Sequence, residues 1–164
     1  MLAARLGWPF ADTDSLLTAE RKKSIREIVE RFGWQQFRQW ECEVVKRVCG
    51  ENRQVVATGG GVVLDDGNVV RMKAVGKLIW LRATPETIRS RMAQDADTRT
   101  SRPALTSGDS IAEIEETLLE REPYYTQAMD FSVDTDNRRI HEVCDAIMGS
   151  LGEMGAERNE AHSS

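Results

Sequence analysis

Trp8-Pro9-Phe10-Ala11-Asp12-Thr13-Asp14 sets two carboxylates two residues apart, directly after a short apolar run. If residues 8 to 11 are a strand, Asp12 and Asp14 fall where a parallel strand gives way to a loop. In open α/β sheets that edge is where ligands bind. One carboxylate there can hold or orient Mg²⁺, and the other can take a proton from a substrate hydroxyl. The plainer reading is a strand followed by an Asp-rich turn whose side chains cap a helix. The D-x-D spacing fits both, so the choice rests on what surrounds it.

Strands and helices alternate on either side of this stretch. Residues 1 to 6 read as the closing turns of a helix, with Gly7 as its C-cap. Residues 18 to 32 carry Ile25, Ile28, Val29 and Phe32 at helical spacing, and Gly33 ends that helix. Residues 34 to 48 read as a second helix with Phe37, Trp40, Val44 and Val48 on one stripe. Residues 54 to 58 (QVVAT) are a short buried parallel strand, and 65 to 74 a short helix. Residues 77 to 81 (KLIWL) are the next strand, after which Thr84 caps a helix with Pro85 at its first position.

Residues 95 to 110, DADTRTSRPALTSGDS, are polar without an apolar period and read as a loop able to act as a lid. Ser110 opens a long helix that Pro123 breaks or kinks. Residues 131 to 133 are a last strand, and 139 to 151 a closing amphipathic helix. The fold class is α/β, with a short parallel sheet covered by helices. Residues 1 to 151 form one domain with the lid loop at about 95 to 110, and residues 152 to 164 a polar, disordered tail.

The 164 residues carry a net charge of −5 and a pI near 5.2. That balance argues against a general nucleic-acid binder, which would show a basic stripe. No apolar run approaches membrane-spanning length, and residues 1 to 10 lack the apolar core of a signal peptide. Cys42, Cys49 and Cys144 make no C-x-x-C pair, and their odd number reads as reduced thiols of a cytoplasmic protein. His141 and His162 take no role.

Three clusters carry possible chemistry beyond the aspartates. Arg38 and Glu41, three apart, are helix neighbours; alone they read as a surface ion pair of little energetic worth. Gly59, Gly60 and Gly61 directly follow a buried strand. They let backbone N–H groups approach a ligand, or serve as a tight strand-to-helix turn. The third cluster is Arg102-Pro103 with Arg121-Glu122-Pro123 and Tyr125.

Together and in order, D-T-D (12–14), G-W-Q-Q-F-R-Q-W-E (33–41), A-T-G-G-G-V-V (57–63), R-P-A-L (102–105) and R-E-P-Y-Y (121–125) resemble the shikimate kinase family over about residues 2 to 151. The resemblance implies a three-layer, P-loop kinase-like fold. It implies transfer of the γ-phosphoryl of ATP to the 3-hydroxyl of shikimate, in aromatic amino-acid synthesis. By matching position, Asp14 binds shikimate hydroxyls and is the base, and Asp12 is the acid near Mg²⁺. Arg38 and Arg121 clamp the shikimate carboxylate, which suits the forked guanidinium. Gly59, Gly60 and Gly61 form the turn against the substrate ring. Arg102 is the lid arginine that reaches the ATP phosphates, Arg138 falls near the adenine-side loop, and Glu41 orients Arg38. The expected partners are shikimate and ATP, with no nucleic acid and no membrane, and the protein is expected to be a monomer.

One departure bears on function. The family opens with a strand, a G-x-x-x-x-G-K-[ST] phosphate loop and a helix, and no such loop occurs in these 164 residues. Met1 falls inside what the resemblance makes the helix after that loop. The first strand and the phosphate loop are therefore expected to be missing from the fold, leaving neighbouring strands with open edges. Two explanations follow: the polypeptide continues upstream with the loop, or the chain is a loop-less paralogue that binds or regulates without transferring phosphate. The retained Asp14, Arg38, Gly60, Arg102 and Arg121 favour the first. A smaller departure is Lys22-Lys23 where the family commonly has glycine. A related small kinase such as gluconate kinase is a third alternative, against which the D-T-D and F-R-x-x-E motifs argue.

Overall fold

The computed structural model describes residues 1–94 and 111–161, with side chains described through residue 154. The elements run α1 (Leu2–Leu6), β1 (Phe10–Asp12), α2 (Thr13–Arg21), α3 (Ile25–Val48), β2 (Val55–Ala57), a 3-10 turn (Val62–Leu64), α4 (Asp66–Val75), β3 (Ile79–Arg82), α5 (Pro85–Gln94), α6 (Ile111–Ala128), β4 (Phe131–Asp134) and α7 (Ile140–Ala161). The expected alternation of strand and helix holds. Gly7 closes α1 in the left-handed conformation at φ 64°, and Thr84 precedes Pro85 at the start of α5 as expected.

The strands pair in parallel, but as two separate pairs rather than the one expected sheet. β1 pairs with β2, Asp12 opposite Ala57; β3 pairs with β4, Arg82 opposite Asp134. No strand among the described residues bridges β2 and β3, so each strand has a single strand neighbour. What joins the two halves is side-chain packing. Val45 of α3, Val62 and Val63 after β2, and Ala128 of α6 form one buried cluster, with Leu78 and Tyr125 packed against it. A second cluster holds α2 to α3 through Leu17, Ile25, Ile28, Phe37, Val44 and Val48.

Three boundaries differ from the sequence reading. The helix expected over 18 to 32 is interrupted: Lys22 turns left-handed at φ 51°, and Ser24 starts a new helix with a complete capping box to Glu27. Ser24 and Glu27 satisfy each other's backbone donors, which offsets the cost of stopping and restarting. Gly33 does break the helical backbone, at φ 80° and ψ 166°. Pro123 neither breaks nor visibly ends α6, which continues to Ala128. The carbonyl that its ring leaves unbonded belongs to Leu119, a residue 71% exposed, so solvent can stand in for the lost donor. Finally, α7 runs through Ala161, beyond the boundary expected at Leu151; Glu, Met, Ala and Arg in that stretch are good helix formers.

Among the described residues no helix is long and apolar enough to cross a membrane. Cys42, Cys49 and Cys144 are free thiols, and burial pushes the Cys42 and Cys49 thiols up from their ordinary range.

Candidate active site

Parallel register decides where the site forms. Because β1 and β2 end together, with Asp12 opposite Ala57, the D-T-D turn and the Gly59–Gly61 turn leave the same sheet edge side by side. Asp12 ends β1 and caps α2, its Oδ1 accepting the Ser15 N–H at 2.8 Å. Thus the plainer reading of the D-x-D stretch holds for Asp12. Asp14, in the first turn of α2, leans onto the glycine turn.

The three glycines owe their identity to crowding. None has a positive φ, and a side chain at each would meet a different neighbour. A Cβ on Gly59 would lie 3.0 Å from Asp14 Oδ1. On Gly60 it would lie 2.9 Å from Tyr125 Oη and 3.7 Å from Arg121 Nη1. On Gly61 it would lie 2.6 Å from Arg38 Cζ. Two helices and the D-T-D turn therefore converge on one backbone turn, and only a missing side chain lets them.

The Arg38–Glu41 pair is not the surface contact its spacing alone suggested. Arg38 Nη1 donates to Glu41 Oε2 at 2.7 Å, with the Glu41 side chain 2% exposed and that of Arg38 27%. Burial raises the Glu41 carboxyl above the ordinary glutamate range, and the hydrogen bond and charge of Arg38 pull it back. Arg38 also lies over the rings of Phe37 and Trp34, at 5.1 and 5.6 Å from their centroids. The guanidinium is thus fixed by one buried anion and two aromatic rings, with its remaining donors directed elsewhere. Arg121, one helix over, has no ion-pair partner among the described residues. The two arginines share a cavity of about 320 Å³ with Trp34, Thr117, Glu113, Glu116 and Glu120. Glu113, Glu116 and Glu120 are spaced three and four residues apart, and Thr117 and Arg121 four apart, so one face of α6 lines it.

The remaining expected residues stand apart. Arg138 follows β4, at the carboxyl edge of the other strand pair. That edge is built by Thr135, whose Oγ1 donates to the Arg82 carbonyl at 2.8 Å and accepts from Arg91 Nη1 at 2.9 Å. Asp136 accepts the Thr84 N–H alongside it. Arg102 and the lid loop lie outside the described residues. Tyr125 went unassigned in the sequence. Its hydroxyl donates to the Gly60 carbonyl at 2.8 Å, and the available signal was its place one helical turn beyond Arg121.

Comparison with known proteins gives the family and the fold. The shikimate kinase family model matches residues 1–151. The shikimate kinase of Symbiobacterium thermophilum is 38% identical over 155 residues, covering 94% of this chain and 88% of that protein. That of Thermodesulfovibrio yellowstonii is 38% identical over 148 residues, covering 90% and 83%. Among solved structures, shikimate kinase from Bacteroides thetaiotaomicron superposes with a TM-score of 0.82 at 26% identity, covering 92% of this chain and 88% of that one. Shikimate kinase from Acinetobacter baumannii in complex with shikimate superposes with a TM-score of 0.86, covering 93% and 83%; at 24% identity this likeness speaks for the fold. The architecture is an α/β kinase fold with short parallel sheets. Within that class, the chain belongs to the shikimate kinase family.

Proposed function

We propose that this chain binds shikimate in the cavity between α3 and α6 and serves the family's reaction, phosphoryl transfer from ATP to the 3-hydroxyl. The observation that carries the reading is the glycine turn, against which Asp14, Arg38 and Arg121 each pack. A shikimate carboxylate meets Arg38 and Arg121, and paired guanidinium forks suit it bidentately. Glu41 keeps the Arg38 fork turned toward the cavity. The ring lies over the glycine turn, with Asp14 at its hydroxyl edge. The 3-hydroxyl oxygen bonds to the γ-phosphorus, the bond from that phosphorus to the ADP oxygen breaks, and Asp14 takes the hydroxyl proton. A base so placed contributes about 10²–10⁴-fold.

On the nucleotide side, Arg102 reaches the phosphates and Arg138 flanks the adenine, as the family resemblance implies. The described residues hold no cluster of three or more acidic, His or Cys ligands. A single carboxylate, that of Asp12, nevertheless fits Mg²⁺, which keeps waters and phosphate oxygens as its other ligands. When bound, the ion neutralises charge on the phosphates. Asp12 Oδ1 is occupied by the Ser15 N–H, leaving its other oxygen for that task.

A second reading is a shikimate-binding or regulatory role without phosphoryl transfer, which would need the acid clamp alone. Shikimate-dependent ADP release with ATP and Mg²⁺, run beside calorimetric shikimate titration, separates the two. Turnover that falls by about 10²–10⁴-fold in Asp14→Asn supports the kinase. Shikimate binding without ADP release, persisting when a strand and a phosphate loop are joined upstream of Met1, supports the second reading. Absence of shikimate binding by folded protein refutes both.

A further inference from the structure

We propose that Tyr125 is a positioning residue for the acid pocket, a role that rests on the shikimate reading above. Its hydroxyl donates to the Gly60 carbonyl at 2.8 Å. Its ring packs against Trp80 of β3, centroids 5.1 Å apart, so the side chain is backed by the second strand pair. Arg121 and Tyr125 lie one turn apart on α6 and both approach Gly60. The helix that presents the carboxylate clamp therefore also grips the turn beneath the substrate ring.

The grip has a directional consequence. In a planar trans peptide the C=O and N–H point to opposite sides. Holding the Gly60 carbonyl toward Tyr125 turns the Gly61 N–H away from it. No described residue accepts a hydrogen bond from that N–H, whereas the Gly59 and Gly61 carbonyls are taken up by Val62 and Leu64. The turn thus keeps one oriented, unspent donor, and backbone donors of this kind bind anions and hydroxyl oxygens. Tyr125 does for the Gly61 N–H what Glu41 does for Arg38: it fixes a binding group without meeting the ligand itself.

The test is a calorimetric shikimate titration of the wild-type chain, Tyr125→Phe and Tyr125→4-aminophenylalanine, with thermal unfolding of each. Tyr125→Phe keeps the ring on Trp80 and loses only the donor; its shikimate affinity is expected to fall about fivefold, the worth of one neutral hydrogen bond. The amino variant restores a donor and is expected to bind within about twofold of wild type. In the unliganded protein the Gly61 amide resonance should move in Tyr125→Phe and return toward its wild-type position in the amino variant, a readout that mere loss of packing would not order in this way. Equal affinity of wild type and Tyr125→Phe overturns the role. Should Tyr125→Phe fail to fold, the amino variant decides: wild-type affinity keeps the role, and lost affinity at a normal Tm overturns it. Wild-type protein that takes up no shikimate overturns the functional reading, and this role with it.

Discussion

Gly61→Ala isolates the contact between the glycine turn and the Arg38–Glu41 pair. Gly61 sits at φ −89° and ψ −2°, a conformation alanine adopts without strain. The cost therefore falls on what the new methyl meets, the Arg38 guanidinium, with Cζ at 2.6 Å. An arginine tip ordinarily swings aside cheaply. This one is tied at 2.7 Å to Glu41, and leaving strands that carboxylate in a site 2% exposed. Deleting one member of a buried pair costs about 3–5 kcal/mol. Here the cation is displaced toward solvent and not deleted, so about 2 kcal/mol is expected, a Tm drop of roughly 4–8 °C for a domain of this size. Losing one charged fork from the clamp should weaken shikimate binding roughly 10- to 100-fold. The pH dependence has a definite sign. Burial already raises the Glu41 pKa, and losing Arg38 raises it further. A buried acid with a raised pKa destabilises the fold as an anion and not when protonated, so the deficit is largest above that pKa and shrinks as pH falls through it. Thermal unfolding between pH 5 and 8 (roughly the range in which most folds are stable), with shikimate calorimetry, measures both effects. In a double-mutant cycle with Glu41→Gln, the second change should cost less than the first, with a coupling of about 1 kcal/mol or more. Unchanged Tm and affinity in Gly61→Ala, or strictly additive single changes, would refute the reasoning.

Two further outcomes follow from charge. Glu116 and Glu120 line the cavity together with the two arginines, so Glu116→Gln with Glu120→Gln should tighten shikimate binding a few-fold at low salt, with the gain fading near 1 M salt, where the screening length is about 3 Å; unaltered or weaker binding at low salt sinks that view. Asp130 ties the starts of β3 and β4 together, accepting from Lys77 Nζ at 2.6 Å and from the Leu78 N–H at 2.8 Å. Burial works to raise its pKa, but the Lys77 and Leu78 hydrogen bonds outweigh it and hold the carboxyl below the ordinary range. Its stabilisation is therefore present above the unfolded carboxyl pKa near 3.9 and lost as pH falls through the lower folded value. Asp130→Asn should lower stability by about 1–2 kcal/mol at neutral pH and flatten the acid limb of a Tm–pH curve; an unchanged acid limb would count against it.

Local chemistry wrote most of the architecture into the chain. Gly7, Thr84-Pro85 and the four short apolar runs each carry a self-contained signal, and each produced the element expected. Ser24-Ile25-Arg26-Glu27 carries one as well, a capping box that splits a helix whose apolar spacing reads as continuous across it. The expectation of one helix over 18 to 32 rested on periodicity alone, while in the structure the reciprocal hydrogen bonds prevailed. Pro123 misled in the other direction, because the cost of an interior proline depends on whether water can reach the freed carbonyl, and exposure is a tertiary property. The pairing of strands was likewise beyond reach: QVVAT and KLIWL read alike, yet only register and packing decide that β2 pairs with β1 and β3 with β4.

The site shows the same division more sharply. Arg38 with Glu41 has the spacing of countless surface pairs, and what sets it apart is the burial of Glu41, 2% exposed, which no window of sequence contains. The triple glycine has the spacing of an ordinary strand-to-helix turn. Its backbone angles would tolerate other residues, so conformational need does not explain it. The explanation is spatial: Asp14, Tyr125 with Arg121, and Arg38 arrive from residues 14, 125, 121 and 38 to occupy three consecutive absent side chains. A glycine held by crowding is legible only once the partners are known. The converse also holds, and it is useful: a methyl placed at 59, 60 or 61 presses first on Asp14, Tyr125 or Arg38 respectively, so alanine at these three positions probes the three contacts separately in one short stretch of chain.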